Sequence, residues 1–229
     1  PHDLHGAARI LKINAVLFDL DGTFADTAPD LAYALNETLE HWHHPRLPID
    51  VIRPVVSQGG IALIQKGFGM NPDDPGFEER REFLLQVYLD NIARHTTLFP
   101  GIAQLLDIMD QRDIHWGIVT NKPGWLTDPL MHELGIDQRT SCIVSGDTCK
   151  QRKPHPEPML HACSLLGVDP AESVYVGDDK RDITAGQAAG MMTIAAAYGY
   201  IIEGDSPAAW GADTIVNTAH ELALLLELA

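Results

Sequence analysis

Two aspartates two residues apart, Asp19 and Asp21, follow directly on the apolar run Ala15-Val16-Leu17-Phe18 and precede Gly22-Thr23. A buried strand that ends in this way presents both carboxylates at its tip, on one side. That arrangement is costly unless a cation or a proton sits between them. Asp-Gly is also a common turn dipeptide, so the pair alone reads equally well as an acidic turn. Joined by further acids elsewhere, it points to a Mg²⁺ site with one Asp free to attack phosphorus.

Those further groups stand at the ends of other apolar runs. Ile114-His115-Trp116-Gly117-Ile118-Val119 closes in Thr120-Asn121-Lys122. A later stretch reads Lys150-Gln151-Arg152-Lys153-Pro154-His155-Pro156, and Ser173-Val174-Tyr175-Val176 closes in Gly177-Asp178-Asp179, with Asp182 one turn on. Polar ends on buried strands are ordinary one at a time. Together, two sets of carboxylates, a hydroxyl and a lysine are what phosphoryl transfer through an aspartate requires.

Positioning them takes a particular order of elements. The pattern predicts a strand over 10–19, then a helix over 29–44 with Leu31, Leu35, Leu39 and Trp42 at helical spacing and Asp30 as its cap. Helices over 60–68 and 77–95 follow, with no convincing strand between Thr27 and Thr96, so residues 27–96 read as an all-helical insertion. Beyond Phe99-Pro100-Gly101 the alternation is regular: helix 101–112, strand 114–119, helix 124–134, strand 141–145, helix 157–166, strand 173–177, helix 181–189, strand 191–196, strand 213–216 and a terminal helix. Alternation of this kind implies right-handed crossovers and a mostly parallel sheet, whose sites lie at the carboxyl ends of the strands. The expected fold is α/β, a Rossmann-like three-layer core over 10–26 and 97–229 with the helical cap 27–96 inserted.

Composition narrows the class. A net charge of -16 with no basic stripe argues against nucleic acid, and no apolar run approaches a bilayer span, so no membrane partner is expected. Three cysteines without a Cys-x-x-Cys pair read as reduced and structural, hence a cytoplasmic protein. No signal-peptide pattern opens the chain, and Pro1 to Arg9 are set aside from the fold. His41, His43 and His44 have no acid or cysteine at ligand spacing and read as solvated or structural. Monomer and homodimer are equally open.

In order and spacing, the four strand-end motifs resemble the haloacid-dehalogenase superfamily of phosphatases, over a length running from about Asn14 to the C-terminus. Within it, the stretch Trp116-Gly117-Ile118-Val119-Thr120-Asn121-Lys122-Pro123, the run Gly177-Asp178-Asp179 with Arg181-Asp182, and Tyr198-Gly199-Tyr200 are similar to the phosphoglycolate phosphatase-like subgroup. The resemblance implies a Mg²⁺-dependent hydrolase of small phosphorylated metabolites, with N-acetylmuramic acid 6-phosphate or 2-phosphoglycolate as substrate. It makes Asp19 the nucleophile and Asp21 the general acid and base, a task that calls for neighbouring negative charge. Thr120 and the Asn121 main chain would bind the phosphoryl group, and Lys153 would neutralise it together with Asp19. Asp19, Asp178 and the main-chain oxygen of Asp21 would hold the metal, with either Asp179 or Asp182 behind them. In the cap, Arg53, Ser57, Gln58 and Gly59 are candidate substrate readers. Phe24-Ala25 falls in the family's flap, where a bulkier ring than usual is expected to alter closure.

Other functions share parts of this pattern. A phospho-aspartate signalling receiver would carry its acceptor on the third strand and no helical insertion. A metal-free dehalogenase would need neither Asp21 nor Asp178. A phosphonate hydrolase would need a cap lysine, for which Lys66 is the candidate, and a phosphomutase would use the same Asp pair but withhold water.

Overall fold

A computed structural model describes residues 12–227 of the chain; the start of the expected first strand and the set-aside segment Pro1 to Arg9 lie outside the described residues. In chain order the elements are β1 (Ala15–Phe18), β2 (Ala25–Asp26), α1 (Ala28–His41), α2 (Ile49–Ile52), a 3-10 segment Arg53–Gln58, α3 (Gly59–Phe68), α4 (Phe77–Asp90), β3 (Thr97–Leu98), α5 (Ile102–Gln111), β4 (His115–Val119), α6 (Gly124–Glu133), β5 (Cys142–Val144), α7 (Glu157–Leu166), β6 (Ser173–Gly177), α8 (Lys180–Ala188), β7 (Met192–Ala196), β8 (Thr214–Val216) and α9 (Ala219–Glu227).

Six strands form one parallel sheet in the order β5-β4-β1-β6-β7-β8. All four residues of β1 are buried, because helices cover both faces of a parallel sheet and leave its central strands no wet side. Val16 and Phe18 point to one face, packing with Trp116, Ile118, Leu105 and Leu222, whereas Leu17 joins Val119, Met159, Tyr175 and Ala185 on the other. The three layers follow from that alternation. The strand at the centre carries Asp19, and its two neighbours carry Thr120 and Asp178, so the chemistry-bearing ends converge at one edge of the sheet.

Between β2 and β3 the regular elements are all helices, joined by loops, as the periodicity predicts, and they build a second apolar cluster from Leu31, Leu35, Leu39, Leu63, Phe77, Leu84 and Tyr88. Leu126 and Tyr200 of the sheet domain join this cluster, so the two parts share an apolar seam. The connections into and out of the helical unit lie side by side as a short antiparallel ribbon, Ala25 opposite Leu98 and Asp26 opposite Thr97. A pair of two-residue strands leaves no periodic signal, which is why the ribbon was not expected.

Asp30 does not cap α1. It is 1% exposed and accepts hydrogen bonds from the main-chain N–H groups of His95 and Thr96 and from the Thr96 hydroxyl, at 2.7 to 3.1 Å. It therefore ties the entry helix to the returning strand across 66 residues. Phe24 likewise differs from expectation. Fully buried, it stacks on Trp116 at 5.7 Å and meets Phe18 edge-on at 5.5 Å, so it anchors the turn after β1 into the core. His41 stacks on Phe83 and His44 lies against Phe68, in keeping with structural histidines.

Replacing Asp30 with Ala leaves the buried N–H and hydroxyl of Thr96, and the part-buried N–H of His95, without their acceptor. Such losses cost about 3 kcal/mol of stability. Urea unfolding of Asp30→Ala should show that loss, and an unchanged midpoint would contradict the tether.

Candidate active site

Lys153 sits at the centre of the site. Its Nζ atom lies 3.0 Å from Asp19 Oδ1, 2.7 Å from Asp182 Oδ1, 2.7 Å from the Tyr175 hydroxyl and 2.9 Å from the Val119 carbonyl. An ammonium with three hydrogens is thus fully engaged, and its side chain is 1% exposed. Burial alone would lower the Lys153 pKa, but the charges of Asp182 and Asp19 outweigh it and raise the group. The loop bearing this lysine is held by Asn121, whose side-chain amide donates to the Lys153 carbonyl at 2.9 Å and accepts from its N–H at 3.1 Å. Asn121 thereby has a second task beyond the main-chain donor expected of it.

On the next strand end, Thr120 is 3% exposed, and its hydroxyl accepts from the Lys122 N–H at 3.1 Å. Lys122 went unremarked as a functional residue in the sequence. Its Nζ atom lies 2.9 Å from Asp21 Oδ1, and the Thr27 hydroxyl donates to the same oxygen at 2.6 Å. The charge in contact with Asp21 is therefore an ammonium, where the role inferred for this acid called for a negative neighbour. Burial would depress the Lys122 pKa, yet the Asp21 carboxylate more than offsets it and keeps the amine protonated. The signal was available, since a lysine two residues past a strand-end threonine sits on the same lip of the sheet.

Oxygen donors for a cation gather beside Asp19. Carboxylate oxygens of Asp19, Asp178 and Asp182 lie within 4.8 Å of one another, all three residues buried. Burial, then the charges of Asp19 and Asp182, pushes the Asp178 carboxyl well above the usual carboxylate range. The Asp21 carbonyl joins them. One atom, the Ser57 hydroxyl, is 3.0 Å from that carbonyl and 2.7 Å from Asp178 Oδ2, so both oxygens face a common point. Gly22 makes this possible: with φ +84°, a Cβ there would stand 2.1 Å from Asp178 Oδ2. Hard oxygens, like-charge crowding and a shared focus fit Mg²⁺ chemically.

The two candidate supporting acids divide their tasks. Asp182 is fully buried on Lys153, while Asp179 caps α8 by accepting from the Arg181 N–H at 2.9 Å, and Asp182 completes the capping box by accepting from the Asp179 N–H at 3.1 Å. Asp179 also accepts from the Gln58 amide of the helical unit.

Above these groups opens a cavity of about 800 Å³. Asp19, Asp21, Thr120, Asn121 and Lys153 border its floor, and Ser57, Gln58, Gly59, Arg81 and Tyr88 its helical side. Arg53 is absent from this lining. It pairs with Asp26 of the ribbon at 2.8 Å and lies over the Tyr200 ring, which places it at the junction of the two parts. Lys66 is exposed on α3 and does not border the cavity, which removes the lysine a phosphonate hydrolase would need.

Residues 16–196 match the family described as haloacid dehalogenase-like hydrolase. The chain belongs to that family. It is 41% identical over 96% of its length to an N-acetylmuramic acid 6-phosphate phosphatase of Pseudomonas putida, covering 98% of that protein. It is 40% identical over 91% of its length to a phosphoglycolate phosphatase of Xanthomonas campestris pv. campestris, covering 94% of it. A crystal structure from Haemophilus somnus 129PT, described as a predicted phosphoglycolate phosphatase, superposes with a TM-score of 0.85 at 24% identity, covering 95% of this chain and 99% of that one, and attests the fold. Within the family the chain is a phosphoric monoester hydrolase. Among the described residues no helix is long and apolar enough to cross a membrane.

The buried acids make stability depend on pH. Burial, then Asp19, against the Lys153 and Arg181 cations, pushes the Asp182 carboxyl up to about 6 from its ordinary 3.8. A raised folded-state value means that the folded protein takes up the proton first. That contribution is full below about pH 4 and is lost as pH climbs through about 6. In chelator, the urea midpoint should carry this loss between those values, and Asp182→Asn should remove it; the same pH slope in both proteins would contradict the assignment.

Proposed function

We propose that this phosphatase acts on small phosphate monoesters through an aspartyl-phosphate on Asp19, in the presence of Mg²⁺, with N-acetylmuramic acid 6-phosphate as the leading substrate and 2-phosphoglycolate as the second. The observation that carries the reading is the Lys153 ammonium, buried between Asp19 and Asp182 on the floor of the cavity. It fixes one Asp19 oxygen, leaves the other for attack, and supplies positive charge where a phosphate dianion must approach. The residues 10–26 and 97–229 act as the catalytic core, and 27–96 as a cap that excludes water around the substrate. The unpaired thiols Cys142, Cys149 and Cys163 favour a reducing, cytoplasmic setting.

The steps follow from the positions. The phosphate monoester enters with one acidic proton and hands it to the Asp21 carboxylate; an Asp19 carboxylate oxygen then attacks phosphorus in line, the phosphorus–oxygen bond to the leaving alcohol breaks, and the proton on Asp21 passes to the departing oxygen. Asp21, now a carboxylate held by Lys122 and Thr27, takes a proton from water as that water attacks the phosphorus. The bond to Asp19 then breaks, giving inorganic phosphate and the free carboxylate. Thr120 and the Asn121 N–H bind the equatorial oxygens during transfer. Asp19, Asp178 and the Asp21 carbonyl would hold Mg²⁺, which when bound offsets the repulsion between phosphate and the acids. Asp182 and Asp179 stand behind, one orienting Lys153 and the other the start of α8. Ser57, Gln58 and Gly59 border the substrate space, and Arg53 serves the junction.

Cavity size favours the larger substrate. About 800 Å³ lies in the range of sites for drug-sized ligands, more than a two-carbon acid needs. Phosphate release should be Mg²⁺-dependent and higher in kcat/KM for N-acetylmuramic acid 6-phosphate than for 2-phosphoglycolate. Phosphate released equally well from every ester tried would refute substrate reading by the cap, and sugar phosphate isomerised without release would point to a mutase.

A further inference from the structure

Tyr88 presents a buried hydroxyl whose hydrogen has no acceptor among the described residues. It lies on α4 of the helical unit and is 0% exposed, and the polar group beside its oxygen, the Lys122 ammonium, is itself a donor. Two other buried side-chain atoms also find no acceptor, the Nε atoms of Arg80 and Arg181, but each belongs to a guanidinium engaged through its other nitrogens. Tyr88 has one polar atom, and no acceptor among the described residues meets its hydrogen. A buried hydroxyl whose hydrogen finds no acceptor is costly. A phenylalanine would fill the same space within the apolar cluster of Leu84, Leu85 and Leu31 without that cost.

Its surroundings say what the hydroxyl is for. Tyr88 borders the cavity together with Asp21, Lys122 and Leu126. The Lys122 ammonium stands 4.5 Å from the centre of the Tyr88 ring and 2.9 Å from Asp21 Oδ1. The ring is thus separated by one ammonium from the carboxylate assigned to the departing alcohol. Burial pushes the phenol up to about 12, so it stays a hydrogen-bond donor across the working pH range. The donor comes from the cap and the carboxylate from the core, so a ligand atom that meets both engages both parts.

We propose that the Tyr88 hydroxyl donates a hydrogen bond to an oxygen carried by the leaving group close to its phosphorylated carbon, which makes the cap select oxygenated alcohols such as sugars and hydroxy acids over plain alkyl esters. This rests on the phosphatase reading above and specifies which atom of the cap reads the substrate. Lys122 is a positioning residue in this scheme: it holds Asp21 and the face of the Tyr88 ring in one arrangement.

The test compares wild type and Tyr88→Phe, both with saturating Mg²⁺, on N-acetylmuramic acid 6-phosphate and on n-butyl phosphate, alongside thermal unfolding. Tyr88→Phe should be as stable as wild type or more so. Its kcat/KM should fall about tenfold on the sugar ester and stay within about twofold on the butyl ester, the size of one hydrogen bond. An equal fall on both esters would mean a general packing role, and no fall on either would mean that the hydroxyl meets no substrate atom; either result overturns the inference and leaves the phosphatase reading standing. Wild type that releases phosphate from neither ester overturns both.

Discussion

One buried ammonium governs this site. Lys153 replaces its hydration shell with two carboxylates, a phenol and a carbonyl, and each partner comes from a different stretch of chain: Asp19 after β1, Val119 at the end of β4, Tyr175 within β6 and Asp182 in α8. Removing water from a charge is expensive, and it succeeds only where the replacements are complete and well directed. The parallel order β4-β1-β6 brings those partners within reach, so strand order and the geometry of this site are the same constraint. Gly177 belongs to it too, since a Cβ there would stand 2.3 Å from the Asp182 side chain.

The acids around the lysine outnumber the positive charge that one ammonium supplies. Asp178 answers with a raised pKa and with donors from three directions: the Thr23 hydroxyl, the Ser57 hydroxyl and the Tyr200 N–H. Two of these donors also report on the helical unit. Ser57 belongs to it, and the Tyr200 hydroxyl accepts from Ala28 at its first turn while donating to Asp26 in the ribbon. Arg181 and Asp179 add contacts to the Ser57 carbonyl and the Gln58 amide. Charge balance at the clustered carboxylates and placement of the helical unit are therefore coupled through short polar links.

Much of this was legible in the sequence because its physical causes are local. A fully apolar run four residues long, ended by acids, can only be a covered strand with an exposed tip, and β1 with Asp19 and Asp21 is that. Helix spacing in Leu31, Leu35 and Leu39 gave α1. What escaped depends on distant partners. Asp30 looks like a helix cap by position, yet its acceptors are needed 65 residues later by His95 and Thr96. The 3-10 segment Arg53–Gln58 has no periodicity to announce it, so Arg53 and Ser57 appeared alike although one serves the ribbon and the other bonds the Asp21 carbonyl and Asp178. Lys122 was hidden by the more familiar lysine at 153.

The central claim is that Asp19 carries the phosphoryl group covalently. It is tested most directly in the Asp21→Asn variant, where hydrolysis of the intermediate should be slowed: mix with Mg²⁺ and substrate, quench in acid, reduce with borohydride and map the peptides by mass spectrometry. The account predicts conversion of Asp19 to homoserine, dependent on substrate. Reduction at another acid, or an unmodified Asp19 in a variant that still releases phosphate, would contradict it.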